Sequence, residues 1–546
     1  MLDGNADEMR NTADQLRGSV KDIRDEVHSP LWTAATLIPF VGHDLYNAQV
    51  VTDSAYDLTE NALVPFTEGV AGIPLADLVQ EHSVNTGMLA SMRDAVVSVA
   101  PVVVRNADQI NALTPGVIGR VNTLVDELKA PMEAAKVVLG DADRTFTFLL
   151  NSLGDGGQTR TYIILAQTNA EIRAGGGFPG SVGLMRVTDG NATLEDFHSV
   201  SDVQGLAHDH GFRAAVGQDE LAAFEDPFAT DAAACTYTPD FTRTGQVARE
   251  FWENAYGAPI DGALAMDPVF LQRMLELTGG VTAPDGTVVD GSNAAEELMS
   301  GVYWRYGYDE DGGALEDQFF NSVAHESFSR LLDAMGDFKL DTFSKLWRAI
   351  ELSGKDHRFG VWMTDGTNEQ FIRDLGLDGA LVHDQAHPEL GVYANDNTWA
   401  KLCWYLDIWA DVAGGTRNAD GSTTYDVTAH FKNTISENDA TSAPDYITGY
   451  NPWKRSKGDL LETIYIMAPD GATISDYEVH QDTPIPADKV IPEIEYNKQC
   501  TLYGCDTRVS HINIEPGGDT TATFKLTIPA GVDAKPTVRT SPLCHE

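Results

Sequence analysis

Between Tyr162 and Val187 the chain places Gln167, Asn169, Glu171 and Arg173 just ahead of Gly175, Gly176, Gly177, Gly180 and Ser181. A guanidinium beside a glycine run can hold an anion. The fork donates two parallel hydrogen bonds to a phosphate or carboxylate, and glycine lets backbone amides approach the same ligand closely. The same residues also suit a structural turn in which Arg173 pairs with Glu171 or Asp202. Gly175, Gly177 and Gly180 fit a G-x-G-x-x-G spacing, but SVGLMRV behind them reads as a strand rather than a helix aimed at a pyrophosphate. No lysine follows Gly180, as a P-loop requires. Asp202, Asp240 and Asp267 are candidate carboxylates for hydrolysis, which needs a pair roughly 5 to 10 Å apart. His208 and His210 around Asp209 form either a metal pair or, the favoured reading, a solvated loop. DEDGG at Asp309 to Gly313, with Glu316 and Asp317, departs from calcium-loop spacing and reads as a solvated acidic turn.

These residues need elements to position them. Tyr162–Ala166 and Ser181–Val187 have the length and apolar content of buried strands, with a polar hinge from Gln167 to Gly180 between them. TDGN at Thr188–Asn191 is a hairpin signal, followed by a strand over Ala192–Phe197. A helix begins at Phe241, and Ile260–Asp267 predicts a buried strand ending in a proline-started helix, Pro268–Thr278. Helices over Ser292–Gly301, Asp317–Met335 and Leu340–Leu352 complete an α/β core across residues 158–388. Ahead of it, Leu2, Ala6, Met9, Ala13, Leu16, Val20, Ile23 and Val27 form a heptad-like stripe. Further helical patterns extend a bundle or stalk over residues 1–152, with Pro65, Pro74, Pro101, Pro115 and Pro131 each expected at a helix start or connection. From residue 389 to 546 the pattern turns to alternating strands and turns, an antiparallel β-sandwich. The fold class is multidomain α+β.

The totals narrow the partners. With 37 basic and 82 acidic side chains in 546 residues the net charge is -45, which repels nucleic acid and anionic lipid over most of the surface. Cys500 and Cys505 flank the turn TLYG. Closing that loop would contribute about 2 kcal/mol in the chain-entropy model, and unpaired thiols are the equal alternative. Zinc-finger spacings are absent, and the sequence reading finds no run of the roughly 18 apolar residues that a membrane span needs. A start on a helical pattern is how a chain trimmed of a membrane anchor would begin.

The segments QTNAEIRAGGGFPGS, PDF at Pro239–Phe241, IDGALAMDPVFLQRMLELTGGV at Ile260–Val281 and NDNTWAKLCWYL at Asn395–Leu406 resemble the domain-of-unknown-function 4012 family of bacterial cell-envelope proteins. That resemblance implies an extracellular, cell-surface location, with membrane anchoring in the full-length protein. The order of strand, arginine-bearing turn, strand, helix and LTGGV is also similar, more weakly, to the LytR-CpsA-Psr glycan phosphotransferases. Those enzymes bind polyprenyl pyrophosphate and attach glycopolymers to peptidoglycan with Mg²⁺, an aspartate and several arginines. The resemblance implies a pocket walled by Gln167, Asn169, Gly175, Gly176, Gly177, Gly180 and Ser181, with Arg173 and Asp202 at catalytic positions. The chain departs from that pattern: Gln167 or Asn169 stands where the first-strand aspartate belongs, and only SVSD, Ser199–Asp202, meets an SxPRD-like turn. The expected function is binding or assembly of a cell-wall glycopolymer or its polyprenyl-phosphate-linked precursor. Surface adhesion or scaffolding is the alternative.

Overall fold

The computed structural model describes residues 6–70, 73, 77–80, 83–195, 197–307, 312–336, 340–449, 455–481 and 497–545. Leu2, Pro74 and most of the acidic turn expected at Asp309–Gly313 lie outside them. The chain is mixed α+β and divides into two compact units, one built mainly from residues 1–160 and the other from most of the remainder.

The first unit is helical. Ala6–Val27 packs on Gly42–Leu58 and Val64–Val70, burying Ala13, Val20 and Val27 of the stripe while Leu16 and Ile23 stay exposed. Thr86–Asn111, started by Asn85 accepting from Met88 N, packs against Gly119–Gly140 and Ala142–Ser152. This helix corrects two expectations. It is long and apolar enough to cross a membrane by length and composition alone, although its Leu89, Val99, Ala107 and Ile110 pack inward. It also carries Pro101 in its interior, as Gly119–Gly140 carries Pro131, so these prolines do not mark helix starts. Between the long helices, the buried Asp44 carboxylate accepts from Val117 N at 2.8 Å and Ile118 N at 3.0 Å.

The second unit is organised on a mixed sheet. Four of its strands are β1 (Thr159–Arg173), β2 (Gly176–Thr188), β3 (Gly262–Met266) and β4 (Phe359–Met363), adjacent in the order β2-β1-β3-β4. β1 and β3 run parallel, Tyr162 opposite Gly262 through Ala166 opposite Met266, and β4 is antiparallel to β3. A parallel pair needs a crossover, and the helices Val200–Asp209 and Phe241–Tyr256 lie within it. As read from sequence, Gly262–Met266 leads into the helix Pro268–Thr278, and Asp189 and Gly190 take the positive φ of a tight hairpin turn. β1 differs from expectation. It continues through the polar residues to Arg173, so the hinge shrinks to Ala174 and Gly175.

Towards the C-terminus lie β5 (Glu389–Asp396), β6 (Leu406–Arg417), β7 (Thr423–Asn433), β8 (Leu460–Met467), β9 (Thr473–His480), β10 (Asn497–Leu502), β11 (Cys505–Ile514), β12 (Asp519–Ile528) and β13 (Thr537–Thr540). They form a five-stranded sheet, β10-β11-β8-β5-β13, and a four-stranded sheet, β6-β7-β12-β9. All their pairings are antiparallel except that of β5 with β13. Residues of both sheets share one core with Ala170, Ile172, Val269 and Leu275, so apolar packing runs across the boundary expected at 388/389.

Candidate functional site

The alternation of β1 explains its polar residues. Gln167, Asn169, Glu171 and Arg173 fall two apart and share one face, while Ala170 and Ile172 enter the core on the other. All four polar side chains are buried, where polar groups draw most of their hydrogen bonds from protein groups. Arg173 donates from Nη1 to the carbonyls of Ile172 at 3.1 Å and Asp396 at 2.9 Å. Its guanidinium lies 5.2 Å from the Tyr237 ring centre and 5.7 Å from that of Phe178. Among the described residues its Nε has no partner. Glu171 forms an ion pair with Lys401, whose ammonium also faces the rings of Tyr303, Tyr446 and Phe178. Ala174 N donates to Asn395 Oδ1 at 2.8 Å. The end of β1 therefore grips residues 395–401, the NDNTWAK stretch, at three points. Within that stretch the Asp396 carboxylate accepts from Thr398 N and Trp399 N, placing Trp399 at φ 57° with 66% of its surface exposed.

The glycines serve close approach. A Cβ on Gly177 would stand 2.4 Å from the backbone of Thr168, and one on Gly175 would stand 2.4 Å from the Thr238 carbonyl. Gly176 has φ 128°, a region that favours glycine. The Gly175 amide donates to Thr236 O at 3.1 Å. Gly180 lies beside Phe178, and Ser181 pairs with Ser199 on the strand edge. Asp202 is exposed in the first turn of its helix, where its charge acts on Tyr256. Asp240 and Asp267 each cap a helix, accepting from Thr242 N and Phe270 N respectively. His208 and His210 are exposed at a helix end, with His210 Nδ1 near the Asn254 carbonyl at 3.2 Å.

A small cavity of about 20 Å³ lies at the carboxyl ends of β1 and β3, where open α/β sheets commonly bind ligands. Gln167 of β1 and Gly175 of the hinge line it, facing His357, Arg358, Gly360, Gly379 and Arg539. Gln167 Nε2 is buried without a partner among the described residues. Arg358 pairs with Asp267 at 3.0 Å and donates to the carbonyls of Leu543 and His545. Burial pushes the Asp267 carboxyl up, and Arg358 opposes that rise. Arg539 Nη2 lies 2.9 Å from His357 Nδ1. Burial, reinforced by Arg539, lowers His357 to about 3. The ring is therefore neutral at pH 7, accepts at Nδ1 and keeps its proton on Nε2. His357 also has φ 56°, a conformation that a non-glycine residue keeps when its surroundings impose it.

Sequence reading missed Arg358, Arg539 and His357 because they come from distant segments with no local motif. The sequence carries the two-residue alternation that separates the faces of β1, although the stretch from Gln167 reads there as a hinge. Mg²⁺ does not fit this cavity, because its described lining residues include no carboxylate. Deeper in the unit, oxygen or sulfur atoms of Asp396, Cys403 and Glu462 lie within 4.8 Å of one another. Burial pushes both carboxyls up, and Arg173 acts on both in the opposite sense. Arg455 also opposes the rise at Glu462. These guanidiniums already supply the positive charge that a cation would bring.

No curated protein matches the chain. Residues 157–303, which hold β1, β2, β3 and the helix after β3, match the model of the family described as "Protein of unknown function (DUF4012)".

Proposed function

We propose that the chain is a cell-envelope protein that binds a phosphate-bearing cell-wall glycopolymer or its polyprenyl-phosphate-linked precursor, in a core related to the LytR-CpsA-Psr proteins. The observation that carries this reading is the cavity at the ends of β1 and β3. In a chain of net charge -45, it brings together Arg358, Arg539, the neutral imidazole of His357 and the unpartnered amide of Gln167. The planar forks of two arginines suit the oxygens of a phosphate, and a neutral imidazole adds a donor without a competing proton equilibrium. Arg173 has a different part: it is the buried post that holds residues 395–401, while Gln167 on β1 and Gly175 in the hinge reach the cavity.

Trp399 supports the glycan half of the reading, since an exposed indole offers a flat apolar face with a polar edge. Exposed Leu31, Leu37, Ile38 and Phe40 in the helical unit suit an extracellular protein held close to a bilayer. The alternative is a surface adhesion or scaffold protein, in which Trp399 would contact a partner and the cavity would bind nothing.

The test is titration of the full chain with a short-chain polyprenyl phosphate and with the corresponding alcohol. Selective binding of the phosphate, weakened by Arg539→Gln, is expected. Binding of neither, together with retained adhesion to whole cell walls, would favour the scaffold reading.

A further inference from the structure

We propose that His383, Asp470 and Cys505 form a zinc site. The three residues lie on separate segments: a loop before β5, the turn between β8 and β9, and the first residue of β11. They are 87 and 35 residues apart along the chain, so no finger-like spacing announces them. In space His383 Nδ1 is 2.7 Å from Asp470 Oδ1, and Cys505 Sγ is 3.3 Å from that same oxygen. All three donor atoms lie within 4.8 Å of one another. Tetrahedral zinc, with bonds of about 2.0 Å to nitrogen or oxygen and 2.3 Å to sulfur, separates neighbouring donors by about 3.3 to 3.6 Å. Small side-chain rotations reach that spacing.

The donor types select the metal. An imidazole, a thiolate and a carboxylate together favour Zn²⁺ over Mg²⁺ or Ca²⁺, which prefer oxygen alone. The arrangement does not suit a nucleophilic cysteine: Asp470 stands between the thiol and the imidazole, whereas activation needs the base against the sulfur. The support is rigid. Ala468 N donates to Asp506 O, Ile474 N donates to Asp506 Oδ2, and Ala472 N donates to Pro469 O, which together fix the Asp470 turn to the start of β11. Gly471, at φ 72°, gives that turn its left-handed position, and Gln385 lies beside it.

Charge also separates this cluster from the buried trio of Asp396, Cys403 and Glu462. There guanidiniums face the carboxyls, whereas the charged group acting on the Cys505 thiol is the Asp470 carboxylate. Binding Zn²⁺ as Cys505 releases its proton to solvent leaves the ion with one thiolate and one carboxylate, a neutral set. His383 and Asp470 are partly exposed, so the ion has a path in and water can fill the fourth position.

The experiment uses the full chain, reduced and freed of metal, titrated with Co²⁺ as a spectroscopic probe and then with Zn²⁺. One Co²⁺ per chain should bind with a thiolate-to-cobalt charge-transfer band that Zn²⁺ removes. Cys505→Ser should abolish the band, His383→Ala should weaken binding by about tenfold or more, and Cys500→Ser should leave both unchanged. His383 is exposed, so its variant tests the site even if Cys505→Ser fails to fold. A wild-type protein without the band, a band surviving Cys505→Ser, or exported protein with Cys505 bonded to Cys500 would overturn the proposal.

Discussion

Arg173 shows how a residue that reads as a ligand-binding cation can instead be part of the frame. Its guanidinium is buried, donates to two backbone carbonyls and lies against two aromatic rings. Arg173→Ala should lower unfolding free energy by about 3 kcal/mol or more, since it removes a buried guanidinium that offsets the burial of Asp396 and Glu462. Arg173→Lys should recover only part of that loss, because an ammonium lacks the planar fork. Urea unfolding decides the matter, and a loss within about 0.5 kcal/mol, as at an ordinary surface position, would contradict this role. Glu316 makes a pH prediction. Burial raises its carboxyl to about 7, against a smaller opposing effect of Lys401. The folded protein therefore holds this proton more tightly than the unfolded chain does. The contribution is complete below about pH 4.5 and is lost as pH rises through about 7. Glu316→Gln should flatten stability over that window, and an unchanged slope would count against the buried, proton-holding carboxyl.

Among the elements, β1 was the most legible and also the most misread. Its apolar first half announces a buried strand, and Gln167, Asn169, Glu171 and Arg173 carry the two-residue period of its second half. Polar residues on a buried strand need partners from elsewhere, here residues 395–401, and a single sequence does not specify pairings across more than two hundred positions. The glycine run was legible as a special stretch, but its reason was not: Gly177 is small because the Thr168 backbone lies against it. Gly177→Ala should cost about 2 to 3 kcal/mol, whereas Gly180→Ala, whose Cβ would stand 3.5 Å from the Phe178 ring, should be nearly neutral. Equal effects in thermal unfolding would refute the close-approach argument. The heptad stripe of Ala6–Val27 found its partners within the helical unit. The prolines inside Thr86–Asn111 and Gly119–Gly140 show packing tolerating what local rules disfavour. Asp44→Ala should destabilise that unit by about 2 kcal/mol, since it orphans two amide donors. Faster hydrogen exchange at Val117 and Ile118 would report the loss, and unaltered protection would argue against it.

For the whole molecule, the large acidic excess makes any cationic concavity informative. An anionic ligand is repelled by the surface in general and can bind only where fixed positive charge outweighs that field. Arg358 and Arg539 meet beside β1 and β3 although they lie far apart in sequence, which is why composition and motifs could suggest an anion site at the hinge without naming its cations. The α+β class was readable from element patterns. The common core joining Ala170 and Ile172 to the C-terminal strands was not, because it depends on long-range packing. The most direct test compares a short-chain polyprenyl phosphate with its alcohol in calorimetric titrations of wild type and Arg539→Gln. The account predicts saturable binding of the phosphate, at least tenfold weaker binding of the alcohol, and a loss of about tenfold or more in the variant, the worth of one charged hydrogen bond. Equal affinity for phosphate and alcohol, or a variant that binds the phosphate as tightly as wild type, would contradict it.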